Sequence, residues 1–457
     1  MKKAKRAIVW FRLDLRLHDN EALTEAMKAV DELIPVYVFD ERFFMGRSRF
    51  GFRKTGAHRT QFIIESVQNL RQNLQEKGLN LIVRVGKAEE EVFKLAQELK
   101  TSWVFCNMER TPEEIAVQDA LEQKLWTIGQ EIRFYRGKML YYTQDLPFPI
   151  AHTPDIFTQF RKEVEKITPI REPLPTPSSF QPWTFKAELG EIPSLSDFEH
   201  DPITWDERAA YRFKGGETEA LQRLQYFLWE SQAIDTYEET RNELIGADYS
   251  SKFSPWLAQG CLSPKQIYAE LLRYENEHGA SKSTYALYFE LLWRDYFRLM
   301  GKKYGAKIFT KGGLQGHERK KLNEDWETFN LWADAQSGIP FIDANMTELN
   351  QTGFMSNRGR QNVASYLIND LKVNWQMGAA YFESTLIDYD ATSNWVNWIY
   401  IAGVGNDPRD ERYFNPISQS KRYDPQGLYI KLWLPNLSDL SAEDIHEANS
   451  HENPQTH

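Results

Sequence analysis

In "ELLWRDYF", Glu290, Trp293 and Arg294 stand at i, i+3 and i+4, so a helix presents a carboxylate, an indole and a guanidinium on one face. Such a trio can hydrogen-bond a planar ligand and stack on it, or it can be a core ion pair under a ring. A second helix opens in "GFMSNRGRQNVAS", where Asn357, Arg360 and Gln361 share a face. Amides supply donors and acceptors together, as reading a nucleobase edge requires, although polar residues also fill helix first turns. In "ADYSSKFSPWLAQGCLSP", Ser250, Ser251 and Ser254 precede a Pro-Trp helix start. Hydroxyls beside the free N–H groups of a helix N-terminus suit a pyrophosphate, and suit simple capping as well. "DYDATSNWVNWIY" sets Asp388 and Asp390 ahead of Asn394; these carboxylates can pair with Arg360 or bias the redox behaviour of a bound ring system. The same stretch holds Trp395, Trp398 and Tyr400, for which core filling is the plainest reading.

Other chemistries find less support. No Ser/His/Asp arrangement and no Cys/His metal spacing is visible, and the nine histidines are scattered, which disfavours a hydrolase or a metalloenzyme. The net charge of -10 argues against a wholly basic nucleic-acid binder, but phosphates are held by local patches. Candidate patches are Arg161 with Lys162, Lys302 with Lys303, Arg319 to Lys321, Arg358 with Arg360, and Lys421 with Arg422; each can equally be a solvated helix face. Cys106 and Cys261 lie far apart in apolar settings, which points to reduced thiols and a cytoplasmic protein. The first apolar run is too short for a signal peptide, and no run spans a membrane.

At 457 residues two domains are expected, and 14% aromatics with 14 Trp call for a ring-lined interior. Apolar runs at 7–11, 33–39, 79–85 and 103–106 alternate with amphipathic stretches at 58–76 and 87–99. That alternation predicts an α/β domain with a parallel sheet over residues 1–145. No GxGxxG follows the first run, so an ordinary dinucleotide site is not supported. A proline-rich connector covers 146–214, its stretch from 168 to 205 reading as irregular chain laid over the surface. Residues 215–440 read as an all-α domain, with helices over 283–300 and 361–371, and 441–457 as a frayed polar tail.

With these segments in order, the chain resembles the photolyase/cryptochrome family, in particular its DASH-type cryptochromes. The resemblance is carried by "IVWFRLDLRLHDNEAL" at 8–23, "SSKFSPWLAQGCLSP" at 250–264, "ELLWRDYF" at 290–297, "TGFMSNRGRQNVASYLINDL" at 352–371 and "IDYDATSNWVNWIYIAGVGNDPRDERYFNP" at 387–416. It implies a Rossmann-like antenna domain followed by a helical domain holding FAD in a folded conformation. The FAD site would comprise Tyr237, then Ser250, Ser251, Lys252, Phe253 and Ser254 at the phosphates. Arg294, Arg360, Asp388, Asp390 and Asn394 would surround the flavin ring. Glu290, Trp293, Asn357, Gln361 and Tyr400 would line a lesion pocket, with Glu290 and Asn357 giving hydrogen bonds to the lesion. Arg241 and Gln419 would touch the DNA strand.

The resemblance further implies light-driven repair of cyclobutane pyrimidine dimers. Gln361 and Tyr400 stand where duplex-acting photolyases carry Met and a second Trp, which weakens the apolar grip on an extruded dimer. Extrusion from a duplex costs about a few kcal/mol and much less from a single strand, so single-stranded or locally unpaired DNA is the expected substrate. RNA is a further expected partner, and the protein is expected to be monomeric. Trp398 and Trp375 match the inner members of the family's electron-relaying tryptophan chain. The outer position falls on Leu322, with Trp326 as its substitute or another ring as the exit. A methenyltetrahydrofolate antenna is implied, with Glu109 of "NMERTPEEI" either its contact or a surface carboxylate. The rival readings are a blue-light receptor that binds FAD without repair, and a nucleotide-binding protein that uses only the α/β half.

Overall fold

Runs rich in Val, Ile and aromatic residues build five strands in the computed structural model of the chain, which describes residues 5–318, 320–406 and 412–450. They are β1 (Arg6–Phe11), β2 (Glu32–Asp40), β3 (Ile82–Gly86), β4 (Trp103–Asn107) and β5 (Glu131–Tyr135). All pair in parallel in the order β3-β2-β1-β4-β5, with Ile8 opposite both Ile34 and Val104. Alternate side chains feed two layers. Ala7, Val9 and Phe11 pack with Phe62 and Leu70 of helix Ala57–Glu76, whereas Ile8, Trp10 and Val36 pack with Val92 and Leu95 of Ala88–Leu99. The strand order grows in opposite directions from β1, which leaves a crevice at the carboxyl ends of β1 and β4, the usual ligand position in such sheets.

The remainder is helical. Its axis is Lys282–Tyr304, which begins at a Ser281 cap accepting from Thr284 N. Around it lie Asn357–Ser365, Trp375–Thr385 and Ala391–Ile401, capped by Ser356, Asn374 and Asp390. Trp256, Trp332, Trp375 and Trp433 are fully buried, so indoles do fill this interior. None of the described helices is long and apolar enough to cross a membrane.

Three features differ from the sequence expectation. Strand β5, "EIRFY", carries charges between its apolar residues because it is a half-exposed sheet edge, and its pattern is correspondingly faint. Within the connector, Phe157–Ile167 forms a helix whose Phe157 ring stacks on Trp293 at 3.6 Å between centroids. From 168 to 205 the chain is irregular apart from the short turn Leu195–Phe198, and it leans on the sheet through Trp183 Nε1, which donates to Leu33 O at 2.5 Å. The described part of the tail is seated rather than frayed: Ile445 is wholly buried and Ser450 Oγ donates to Asp343. Arg319 of one basic cluster and the tail beyond Ser450 lie outside the described residues.

Candidate functional site

Two hydrogen bonds gather distant motifs around Asp388. Its Oδ2 accepts from Ser254 Oγ at 2.6 Å and from Arg360 Nη2 at 2.8 Å, while Arg360 Nε donates to Met355 O at 2.9 Å. The serine-rich loop, the Asn357 helix and the "DYD" segment thus meet at one carboxylate. Beside it lies a cavity of about 110 Å3 lined by Asn357, Arg360, Gln361, Asp388, Asp390, Asn394 and Trp398. Asn394 is fixed by donating Nδ2 to Ala379 O at 3.0 Å, and Gln361 Oε1 accepts from Arg358 at 3.0 Å.

The serine-rich loop turns sharply at Lys252, whose φ of 61 is in the left-handed region, followed by Phe253 in the right-handed one. Such a pair of residues points successive N–H groups into one concavity that favours anions. Arg223 braces the loop from behind, donating to Ser251 O at 3.1 Å and Ser250 O at 3.2 Å. Lys252 Nζ is buried with no hydrogen-bond partner, and burial holds it well below its ordinary pKa, against the pull of Glu348.

On the Lys282–Tyr304 helix the sequence trio divides. Glu290 does not pair with Arg294; it pairs with Arg241 across the domain, beside the buried Tyr237. Burial raises the Glu290 carboxyl above its ordinary value, offset in part by Arg241. Arg294 donates to Lys138 O at 3.0 Å and Leu257 O at 3.2 Å, and burial with Arg298 nearby lowers it to about 10. Trp293 stands between Phe157 and Phe297, and Tyr400 OH donates to Tyr296 OH at 3.4 Å. Arg358 bonds Asn242 at 2.9 Å and covers the Tyr423 ring at 4.5 Å, which sets the segments of Arg241 and Gln419 on one flank.

A larger cavity, about 560 Å3, opens at the carboxyl ends of β1, β2 and β4 against the helical domain. Glu109 lines it and is only 2% exposed, so the surface-carboxylate reading is overturned. Glu109 pairs with Lys138 and lies 3.7 Å from Arg298, which in turn holds Asp390 at 2.9 Å. Burial pushes both carboxyls up, but the summed pull of these cations leaves Glu109 and Asp390 below their ordinary values. Tyr389 and Asp390 line both cavities, so one two-residue stretch separates them.

Sequence reasoning missed Arg298, although it continues the i, i+4 face of Glu290 and Arg294. It also missed Lys138 and Tyr389, for which no local signal exists. Of the expected tryptophans, Trp375 and Trp398 are buried; Trp326 is 39% exposed and packs on Phe50, Phe52 and Phe329.

Residues 7–178 match the family model described as DNA photolyase, and residues 287–457 the one described as FAD binding domain of DNA photolyase. A Cryptochrome DASH of Gloeobacter violaceus is 47% identical over 97% of this chain and 88% of its own length. This chain belongs to the photolyase/cryptochrome family, among the DASH cryptochromes. The cryptochrome structure from Synechocystis sp. superposes on this DASH-group chain with a TM-score of 0.94 at 48% identity, covering 98% of this chain and 92% of that one. An archaeal photolyase from Sulfolobus tokodaii, solved with two FAD molecules, gives a TM-score of 0.78 at 28% identity over 97% and 93% of the two chains. The family fold is thus present throughout, with a parallel α/β domain joined to the helical FAD-binding domain.

The donor set fits a dinucleotide of this kind. Asp388 Oδ1 is buried beside the smaller cavity with no hydrogen-bond partner, and the Lys252 turn offers N–H groups to phosphates. The Asp388 oxygen and Lys252 Nζ are buried polar atoms that folding alone leaves unsatisfied.

Proposed function

We propose that this protein repairs cyclobutane pyrimidine dimers by light, preferentially in single-stranded or locally unpaired DNA, using FAD. The observation that carries this reading is the junction at Asp388, where the phosphate-binding loop, Arg360 and the Asn394 cavity converge. When bound and reduced, FAD supplies the excited electron that splits the cyclobutane ring. Ser250, Ser251, Lys252, Phe253 and Ser254 hold its phosphates through the loop's N–H groups and hydroxyls. Arg294, Arg360, Asp388, Asp390 and Asn394 orient the ring system, and Tyr237 packs beside it.

On the lesion side, Glu290 and Asn357 donate hydrogen bonds to the dimer as charge develops on it. Burial biases Glu290 toward the protonated, donating form, against the pull of its partner Arg241. Trp293, Gln361 and Tyr400 form the walls, and the scarcity of apolar grip favours strands in which the dimer is already unstacked. Arg241 and Gln419 contact the strand backbone. Glu109 and the interdomain cavity accept a methenyltetrahydrofolate antenna. The protein acts as a monomer in the cytoplasm, and RNA uses the same groove.

The deciding assay places purified protein and reductant under blue light and scores dimer loss in matched single-stranded and duplex oligonucleotides. Repair confined to the single strand, and lost in Glu290→Ala, is the expected result. Bound flavin with neither substrate changed would replace this reading with a blue-light receptor.

A further inference from the structure

Leu322, a buried alkyl residue, lies on the segment hydrogen-bonded to the start of the Trp375 helix. Asn323 N donates to Lys372 O at 3.0 Å and Asn374 N to Asn323 O at 2.8 Å, while Lys311 contacts both Trp375 Nε1, through its carbonyl at 3.2 Å, and Leu322 O, through Nζ at 3.4 Å. Leu322 therefore neighbours Trp375 and cannot be oxidised there. The tip of Trp398 rests on Gly378, one turn along the helix that Trp375 opens, where no Cβ would fit.

Two aromatic tracks lead away from these inner indoles. One runs from Trp398 to Trp332 at 6.4 Å between centroids, but every further approach to Trp326 crosses Phe329 or Phe52. A benzene ring is far harder to oxidise than an indole or a phenol, so ring-to-ring hops on that track reach Trp332 and Tyr381 but not Trp326. The other runs from Trp375 to Trp395 at 5.8 Å, and Trp395 Nε1 donates to Tyr389 OH at 3.2 Å. Burial and the Glu383 carboxyl beside it hold the Tyr389 phenol in the neutral form. Every ring on this second track is oxidisable, and a carboxylate stands at its end. Trp395, Tyr389 and Glu383 all line the interdomain cavity.

We propose that Trp395 and Tyr389 form the outer half of the electron relay and end it in the interdomain cavity, where a small thiol restores Tyr389. The proposal rests on the flavin reading above and names the route and its terminal residue. With FAD bound, Trp398 would be the ring that gives up the first electron to the photoexcited oxidised cofactor. Trp375 refills Trp398, Trp395 refills Trp375, and Tyr389 refills Trp395 while its phenolic proton passes to the Glu383 carboxylate. A thiol in the cavity then gives a hydrogen atom to the phenoxyl oxygen and leaves as a thiyl radical; Glu383 returns its proton to solvent. Burial pushes the Glu383 carboxyl above its ordinary value; Arg59, whose guanidinium covers the Tyr389 ring at 4.7 Å, opposes that shift and favours the charged, proton-accepting form.

The test uses the FAD-loaded protein with 2-mercaptoethanol under blue light, with flavin photoreduction followed by absorbance and the trapped radical identified by electron paramagnetic resonance. Wild type is expected to give a tyrosyl signal that Tyr389→Phe abolishes. Trp395→Phe is expected to slow photoreduction about tenfold or more, and Trp326→Phe by less than about twofold. A tryptophanyl radical that vanishes in Trp326→Phe overturns the proposal, as does a tyrosyl signal that survives Tyr389→Phe. The wild-type radical is read without any variant, so a poorly folding Trp395→Phe does not shelter the idea. A protein that binds no flavin overturns this proposal and the flavin reading together; Tyr389-dependent photoreduction without dimer repair supports the relay and overturns only the repair.

Discussion

Arg241 and Glu290, 49 residues apart in the chain, form an ion pair on the flank where the strand is proposed to lie. The pair joins a residue assigned to the DNA backbone with one assigned to the lesion. Glu290→Ala is expected to lower repair per absorbed photon by about tenfold or more. Arg241→Ala is expected to weaken strand binding at all sequences and to reduce the slope of log affinity against log salt by about 1. Binding titrations at several salt concentrations check this, and an unchanged slope would remove Arg241 from the DNA contact.

The same carboxyl predicts a pH dependence. Glu290 is held above its ordinary value of 4.5 by burial, so it donates a hydrogen bond below its raised pKa and loses that capacity as pH rises through it. Repair yield should decline on the alkaline side in wild type. Glu290→Gln, which keeps a donor at every pH, should show no such decline.

Asp390 and Arg298 form a nearly buried pair at 2.9 Å. Asp390→Asn leaves Arg298 short of a counter-charge and is expected to destabilise the fold by about 3–5 kcal/mol near pH 7. Because the folded-state pKa of Asp390 is depressed, its contribution is complete above the unfolded value of 3.8 and is lost as pH falls below it. Denaturant titrations of both proteins at neutral and acid pH should therefore show a gap that narrows on acidification.

Asp388→Ala removes the acceptor shared by Ser254 and Arg360. Retention of flavin through purification should fall by about tenfold or more, since hydrogen bonds to charged groups contribute about 1.5–3 kcal/mol. Flavin absorbance per mole of protein is the measurement, and full occupancy in the variant would place the ring system elsewhere.

Ile445, wholly buried near Gly427, anchors the chain after the last regular helix. Ile445→Ala should cost about 2–5 kcal/mol in a denaturation experiment. A cost near zero would restore the picture of a loose tail.

Local patterns made much of this molecule legible in one dimension. The two-residue and helical periods separated the α/β half from the helical half because burial on one face imposes them. Asn357, Arg360 and Gln361 could be grouped because a helix sets residues three and four apart on one face. Strand β5 escaped because a half-exposed edge needs no continuous apolar run, and Phe157–Ile167 because prolines on both sides masked an amphipathic helix of 11 residues.

What one dimension could not supply is partners. The trio Glu290, Trp293 and Arg294 was recognisable as a unit, yet folding sent Glu290 to Arg241, Trp293 to Phe157 and Arg294 to two carbonyls. Glu109 looked equally like a surface charge until the packing of one domain on the other buried it between Lys138 and Arg298. The amino-acid sequence by itself determined which side chains can donate, accept, stack or be oxidised, and which share a helical face. Only the tertiary structure decided which of them meet, because a charge or an indole acts over a few ångströms and those distances are set by how the elements pack.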